Sequence, residues 1–194
     1  MKNIAVLVSG GGTNLQALID AQNNGIIKSG KISLVISNNP DAFALERAKK
    51  AEIKALVCNK KELGALFEDK LIEALEDNKT DVIVLAGFMC ILSEKFTSHF
   101  ANRIINVHPA LIPSFCGKGF YGLHVHEAAL EYGVKVTGAT VHFVNEIPDG
   151  GKIIMQKAVE IKEGDTPEIL QRRVMEEAEW KILPLSLEKV CSEL

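Results

Sequence analysis

Five short apolar runs divide the first 110 residues of the chain, and amphipathic segments separate them. The runs cover Ile4–Ser9, Ile32–Ser37, Ile53–Val57, Val82–Ala86 and Arg103–Val107. Continuous apolar runs of this length are typical of strands that are buried on both faces of a parallel sheet. Because strand and helix alternate about five times, the pattern predicts an α/β fold with a doubly wound, mostly parallel sheet and right-handed crossovers.

The segments between the runs predict helices. Leu15, Ile19 and Ala21 follow the first run at helical spacing. Further helices are predicted from Pro40 and Asp41 through Ala48, from Lys61 to Glu76, and from Lys95 to Phe100 after the N-cap Ser93.

After position 110 the pattern changes. A loop rich in proline and glycine spans Leu111–Gly122, and a helix is predicted over His124–Glu131. Two long strands follow, and we expect them to extend the same sheet in antiparallel orientation. They are predicted over Lys135–Val144 and Lys152–Ile161, and Asp165-Thr166-Pro167-Glu168 then caps a final helix that runs through Val174 to Lys181.

The composition is that of a globular chain that can bury a full core. Of the 194 residues, 47% are apolar and 24% are charged, and the net charge of −3 gives no electrostatic reason to expect a nucleic-acid partner. Cys58, Cys90, Cys116 and Cys191 are spaced neither as a zinc site nor as a disulfide framework, so we expect reduced thiols in a cytoplasmic protein. No signal segment and no apolar run of membrane length is recognised, so no membrane association is expected.

The most informative stretch is Asn106–Pro113. The strand that ends there presents the carboxamide of Asn106 and the imidazole of His108 two residues apart, hence on one face. An amide can stabilise an oxyanion, and an imidazole can move a proton near neutral pH. The pair is what a metal-free acyl-transfer site needs, although an isolated Asn-x-His is common and a structural histidine is the alternative.

Three consecutive glycines, Gly10–Gly12, join the first strand to the first helix and are followed by Thr13 and Asn14. Glycines let the backbone approach a ligand closely, and a helix start offers free N–H groups and a positive dipole end. The turn therefore predicts a phosphate site, with a ligand-free tight turn as the alternative. It is neither a P-loop nor the dinucleotide fingerprint, because no Lys-Ser/Thr pair and no third spaced glycine follows.

Two other stretches carry candidate chemistry. Within Gly138–Gly151, a strand carries His142 and a turn closes on Asp149. If Asp149 meets His108, it would raise the pKa of the imidazole, orient the ring and relay a proton; otherwise it belongs to an ordinary turn. Leu85–Leu92 is too apolar for a surface loop, and it predicts either a core turn or an apolar slot for a flat heterocycle.

The pair His124 and His126 suggests a metal site only weakly. Apart from Glu127, no residue lies at ligand spacing from them. We therefore expect helix capping and loop hydrogen bonds from this pair, and no bound metal.

In this order, the motifs resemble those of the phosphoribosylglycinamide formyltransferases, also called glycinamide ribonucleotide transformylases. The resemblance covers nearly the whole chain: Ser9–Gln16, Leu85–Leu92, Asn106–Pro113, Gly122–His126, Val141–Val144, Asp149–Gly151 and the terminal helix. The Asn106, His108 and Asp149 set is shared by other folate-dependent formyltransferases and hydrolases, and the Ser9–Gln16 turn is the more specific marker. The resemblance implies a Rossmann-like formyltransferase fold in one domain, residues 1–194, with a phosphate-binding half (1–110) and a folate-binding half with a C-terminal extension (111–194).

The resemblance also implies a reaction. The formyl group of 10-formyltetrahydrofolate, the co-substrate, would pass to the glycinamide amine of a ribonucleotide in purine synthesis. Asn106 and His108 would stabilise the oxyanion, His108 would act as general acid, and Asp149 would tune His108 and shuttle the amine proton. The enzyme would act on small molecules, without a metal, as a monomer or homodimer in the cytoplasm.

The remaining roles that the resemblance implies concern binding. The substrate ribose would be held by a glutamate of the last helix: alignment on Pro184 places it at Glu179 and alignment on Val174 gives Ala178, of which only Glu179 could bond a hydroxyl. The phosphate would be held by Gly12, Thr13 and Asn14, and the folate pterin by Met89, Cys90, Ile91, Leu92, Asn145, Glu146, Ile147 and Pro148.

Three other functions compete with this interpretation. A 10-formyltetrahydrofolate hydrolase uses the same three residues with water as acceptor but usually carries an extra N-terminal domain. A methionyl-tRNA formyltransferase needs an additional C-terminal RNA-binding domain. A non-catalytic nucleotide-binding module would be favoured by loss of Asn106, His108 or Asp149, and all three are present.

Overall fold

The computed structural model describes all residues from 1 to 194. Seven strands form one sheet: β1 (Lys2–Val8), β2 (Gly30–Ser37), β3 (Lys54–Val57), β4 (Val82–Leu85), β5 (Ile104–His108), β6 (Val136–Phe143) and β7 (Ile153–Glu160). The helices are α1 (Thr13–Asn23), α2 (Phe43–Lys50), α3 (Lys60–Leu63), α4 (Phe67–Asp77), α5 (Glu94–His99), α6 (Leu123–Tyr132), α7 (Pro167–Val174) and α8 (Trp180–Glu193). No helix has both the length and the hydrophobicity needed to cross a bilayer.

The strand order is β3-β2-β1-β4-β5-β6-β7. The first five strands pair in parallel, whereas β6 and β7 are antiparallel to their neighbours. This confirms the predicted doubly wound sheet and its antiparallel extension. The chain reverses its direction of travel across the sheet at β1 and β4, and in open α/β sheets such a switch point opens a ligand crevice at the carboxyl ends of the strands.

The core lies on both faces of the sheet because the central strands bury side chains in both directions. Val6 and Val84 point into one cluster, which α1, α2, α7 and α8 cover, and Leu7 and Ile83 point into the other, which α4 and α5 cover. All four side chains are fully buried. The apolar runs of the sequence therefore identified central strands correctly.

Three helix predictions need correction. The predicted helix over Lys61–Glu76 is broken, since α3 ends at Leu63, Gly64 has φ +53° and a 3₁₀ turn leads into α4. Pro40 and Asp41 do not open α2, whose N-cap is Ala42 without a side-chain hydrogen bond. The final helix does not stop at Lys181: it continues to Glu193 through a π-helical segment, Met175–Glu179.

Candidate active site

Asn106 and His108 lie at the carboxyl end of β5, and the antiparallel neighbour β6 adds a second imidazole beside them. The register pairs Asn106 with His142 and His108 with Thr140. The Nδ2 atom of Asn106 lies 3.2 Å from Nε2 of His142, and Nδ1 of His142 lies 2.8 Å from the carbonyl oxygen of Phe143. Because a carbonyl only accepts, Nδ1 of His142 is the donor there, and in the neutral ring Nε2 is left to accept from Asn106.

The two ring nitrogens of His108 face two acceptors. Nε2 donates to the carbonyl oxygen of Phe115 at 2.8 Å, and Nδ1 lies 3.6 Å from Oδ2 of Asp149. The side chain is almost fully buried. Burial lowers the pKa of His108, and this effect outweighs the Asp149 charge and the Phe115 carbonyl, which both raise it. Asp149 does raise the pKa of His108, as expected. The net pKa of His108 nevertheless stays below the ordinary value, because burial has the larger effect.

Asp149 is positioned by a strained turn and by a backbone donor. Its φ is +57°, a left-handed conformation that aspartate tolerates better than most residues do. Gly117 donates its N–H to Oδ2 of Asp149 at 2.8 Å, and Oδ1 lies 3.5 Å from Nε2 of His142. Burial would raise the pKa of Asp149, but a hydrogen bond from His142 in its charged form, the His108 charge and the Gly117 N–H together hold it below its usual value.

The 111–122 loop supplies two of these contacts through its backbone, the Phe115 carbonyl and the Gly117 N–H. Thr140 anchors the start of the loop: its hydroxyl donates to the Ala110 carbonyl at 2.7 Å and accepts from the Ile112 N–H at 3.1 Å. Farther along, the Phe115 ring packs edge-on against Tyr132 at 6.0 Å. No pattern in the sequence predicted these roles, because backbone groups carry no residue signature.

The glycine turn begins α1 as predicted. Gly12 has φ +72° as the N-cap residue, and a Cβ there would lie 2.6 Å from the Cβ of Ala44, so both the backbone conformation and the packing require glycine. Thr13 is the first helical residue, and the initial N–H groups of an α-helix lack partners within the helix. Asn14 directs its Nδ2 to Oε2 of Glu179 at 2.7 Å, so part of its side chain is already engaged.

Glu179 stands at the end of the π-helical segment and is 6% exposed. Glu179 reaches Asn14, whereas Ala178 packs in the core. Burial raises the pKa of Glu179 to about 7, although the hydrogen bond from Asn14 opposes it.

One cleft of about 850 Å³ joins these groups. Exposed apolar side chains stand at its rim: Met89 and Ile91 on the segment after β4, and Ile147 opposite. Leu92 also borders the cleft, but its side chain belongs to the core. Of the predicted site residues, Gly12 alone lies outside the lining; the others in it are Thr13, Asn14, Met89, Cys90, Ile91, Leu92, Asn106, His108, Asn145, Glu146, Ile147, Pro148, Asp149 and Glu179.

The two histidines of α6 have different surroundings. His124 is exposed and pairs with Glu127 at 2.8 Å, whereas His126 is fully buried and neither of its ring nitrogens has a hydrogen-bond partner. Burial, assisted by the His108 charge, lowers the pKa of His126 to about 4. No group of three or more His, Cys, Asp or Glu side chains is arranged to hold a metal ion.

Comparison with known proteins gives consistent matches over nearly the whole chain. Residues 2–187 match the formyl transferase family. The chain is 46% identical over 187 residues to the phosphoribosylglycinamide formyltransferase of Haemophilus influenzae (95% of this chain, 85% of that protein), and 43% identical over 185 residues to that of Escherichia coli K12 (94% and 84%). The crystal structure of glycinamide ribonucleotide transformylase 1 from Symbiobacterium toebii has a TM-score of 0.93 at 42% identity and covers 100% of this chain and 89% of its own.

Proposed function

The chain belongs to the formyl transferase family, and from this premise we propose how its cleft carries out the reaction of the phosphoribosylglycinamide formyltransferases. The enzyme transfers the formyl group of 10-formyltetrahydrofolate to the amine of 5-phosphoribosylglycinamide. The products are formylglycinamide ribonucleotide and tetrahydrofolate, in purine biosynthesis. The observation that carries the residue assignment is the convergence of Asn106, His108 and Asp149 in one cleft.

The ribonucleotide and the folate bind on two sides of Asn106, His108 and Asp149. The backbone N–H groups at Gly12, Thr13 and Asn14 receive the phosphate, because a helix start favours an anion. Glu179 accepts from the ribose hydroxyls. The pterin lies between Met89–Leu92 and Asn145–Pro148, whose apolar side chains at the rim lose water when a flat ring covers them.

The amine then attacks the formyl carbon, and negative charge develops on the formyl oxygen. The Nδ2 donor of Asn106 and an N–H donor of His108 stabilise this charge. The Nε2–H of His108 is bonded to the Phe115 carbonyl. The formyl oxygen therefore competes with that carbonyl for the Nε2–H of His108. The loop segment around Phe115 moves away from the ring when this N–H bonds to the formyl oxygen.

Proton transfer completes the reaction without net change. Attack makes the amine nitrogen acidic, and Asp149, directly or through water, takes one proton from it. Asp149 passes this proton to Nδ1 of His108, which makes the ring an imidazolium, and the imidazolium then gives one proton to the departing folate nitrogen and returns to the neutral form. With acceptors on both sides of the ring, the charged imidazolium is well accommodated while it exists, although burial keeps the resting ring neutral.

Turnover of 10-formyl-5,8-dideazafolate, followed by absorbance with and without glycinamide ribonucleotide, tests this proposal. We expect turnover that requires the ribonucleotide and that His108→Ala and Asp149→Ala abolish with the fold intact. His99→Ala, at an exposed histidine outside the cleft lining, is the matched control. Turnover without the ribonucleotide would identify a hydrolase, and near-normal rates in either active-site variant would refute the residue assignment.

Three broader features belong to the same proposal. Residues 1–194 act as one formyltransferase domain with halves 1–110 and 111–194, which the single continuous sheet supports. The enzyme works in the cytoplasm as a monomer or homodimer. It uses no nucleic-acid partner, in keeping with its net charge of −3.

A further inference from the structure

Helix α2 braces the glycine turn from the side. Ala44, in the first turn of this helix, donates its backbone N–H to the Gly10 carbonyl at 3.0 Å. One turn later, Arg47 donates from Nε to the Gly11 carbonyl at 2.8 Å. Two successive carbonyls of the turn are therefore held by one helix, and the second by a charged group.

The guanidinium of Arg47 is itself held in place. Nη1 donates to Oε1 of Gln16 at 3.0 Å, and the guanidinium carbon lies 5.1 Å from the centre of the Phe43 ring. The side chain is half-buried. These three contacts fix the position of the guanidinium group. Its hydrogen bond to the Gly11 carbonyl therefore has a defined geometry.

This hydrogen bond controls the direction of a donor. In a planar trans peptide the C=O and the following N–H point in opposite directions. When the Gly11 carbonyl faces Arg47, the Gly12 N–H therefore faces the other side of the turn. Loss of the Arg47 contact would free this peptide to rotate, since glycines on both sides impose little barrier.

The charge balance of the cleft points to the same residue. Lys118 is the only lysine or arginine in the cleft lining, and it lies on the 111–122 loop. A second groove, of about 530 Å³, is lined by Thr13, Arg47 and Lys181. Thr13 borders both cavities, so this groove brings the positive charges of Arg47 and Lys181 to the side of the predicted phosphate end.

We propose that Arg47 is a positioning residue for the substrate phosphate: it orients the Gly11–Gly12 peptide toward the anion and adds positive charge behind it. This inference rests on the proposed function of the glycine turn. Arg47 acts through the peptide and does not need to touch the phosphate. Its contribution therefore belongs to ribonucleotide binding and not to formyl transfer itself.

The test compares Arg47→Met and Arg47→Lys in steady-state kinetics with glycinamide ribonucleotide and with the phosphate-free riboside. We expect Arg47→Met to raise KM for the ribonucleotide about tenfold or more and to leave kcat within about twofold. With the riboside, Arg47→Met and the wild type should have equal kcat/KM. Arg47→Lys keeps the charge but loses the Nε–H contact, so its KM should be intermediate.

Arg172→Met is the matched control, because Arg172 is an exposed arginine of α7 paired only with Glu176, and its kinetics should not change. An unchanged ribonucleotide KM in Arg47→Met, or an equal loss with the riboside, would overturn the proposal while formyl transfer stands. If the wild type shows no transfer, the proposed function fails instead. Calorimetric binding of inorganic phosphate still tests Arg47 in that case: affinity should fall in Arg47→Met, and equal affinity would refute its role.

Discussion

Replacing Glu179 with glutamine removes an ionisable group from the buried end of the cleft and preserves its size. Glu179 is 6% exposed and forms no salt bridge. Its hydrogen-bond partner is the amide of Asn14, at 2.7 Å. Burial raises the pKa of Glu179 to about 7 from the ordinary 4.5. The folded protein therefore holds this proton up to nearly neutral pH, whereas the unfolded chain loses it near pH 4.5.

The sign and size of the effect follow from this difference. Between pH 4.5 and 7 the folded state binds more protons at Glu179, so this group makes the free energy of unfolding fall as the pH rises. The total is about 3 kcal/mol, at about 1.4 kcal/mol for each tenfold change in proton affinity. His126 opposes this slope: its folded pKa of about 4 lies below the ordinary 6.5, so its contribution to stability is lost as the pH falls below 6.5.

Glu179→Gln should therefore be close to wild type in stability at pH 4.5 and more stable by about 3 kcal/mol at pH 8. Urea denaturation followed by circular dichroism at a series of pH values measures this difference, from which unchanged groups such as His126 cancel. Glu177→Gln, at an exposed position of the same π-helical segment, is the control and should show no such trend. A stability difference that does not vary between pH 4.5 and 8 would refute the assignment of the raised pKa to Glu179.

Three further predictions address the site and its supports. Asp149→Asn should lower the pKa of His108 further, because the carboxylate is a cause that raises it; we expect kcat to fall about 10²-fold or more, and histidine titration by NMR checks the pKa. Thr140→Val should cost about 1–3 kcal/mol in urea denaturation, since the buried Ala110 carbonyl and the less buried Ile112 N–H and Gln156 amide lose their partner, and a loss below about 0.5 kcal/mol would contradict this. Gly151→Ala places a Cβ at 1.7 Å from the Phe143 carbonyl oxygen, so it should displace the adjoining turn and reduce kcat on the order of 10²-fold; normal kinetics would show that the turn adapts.

Local features of the sequence were sufficient to predict a strand or a helix start where one physical effect dominated. The apolar runs of β1 and β4 could only be central strands, because strands covered on both faces need apolar residues at every position. Ser93 and Thr166 accept from backbone N–H groups at the starts of α5 and α7, as N-cap residues do. The break at Gly64 shows the limit: the charge and apolar pattern continues across it, and only the positive φ interrupts the helix.

By itself, the sequence determined the strand and helix alternation, the glycine turn at the start of α1 and the placement of Asn106 and His108 on one face, because these depend on residue type and on local periodicity. Tertiary structure alone decided the rest of the site. It brought Asp149 and His142 of the antiparallel extension against β5, set the Phe115 carbonyl on the His108 ring, and turned Glu179 toward Asn14 through a π segment. Burial, a property of the assembled fold, then moved the pKa values of His108 and Glu179 in directions that no local pattern encodes.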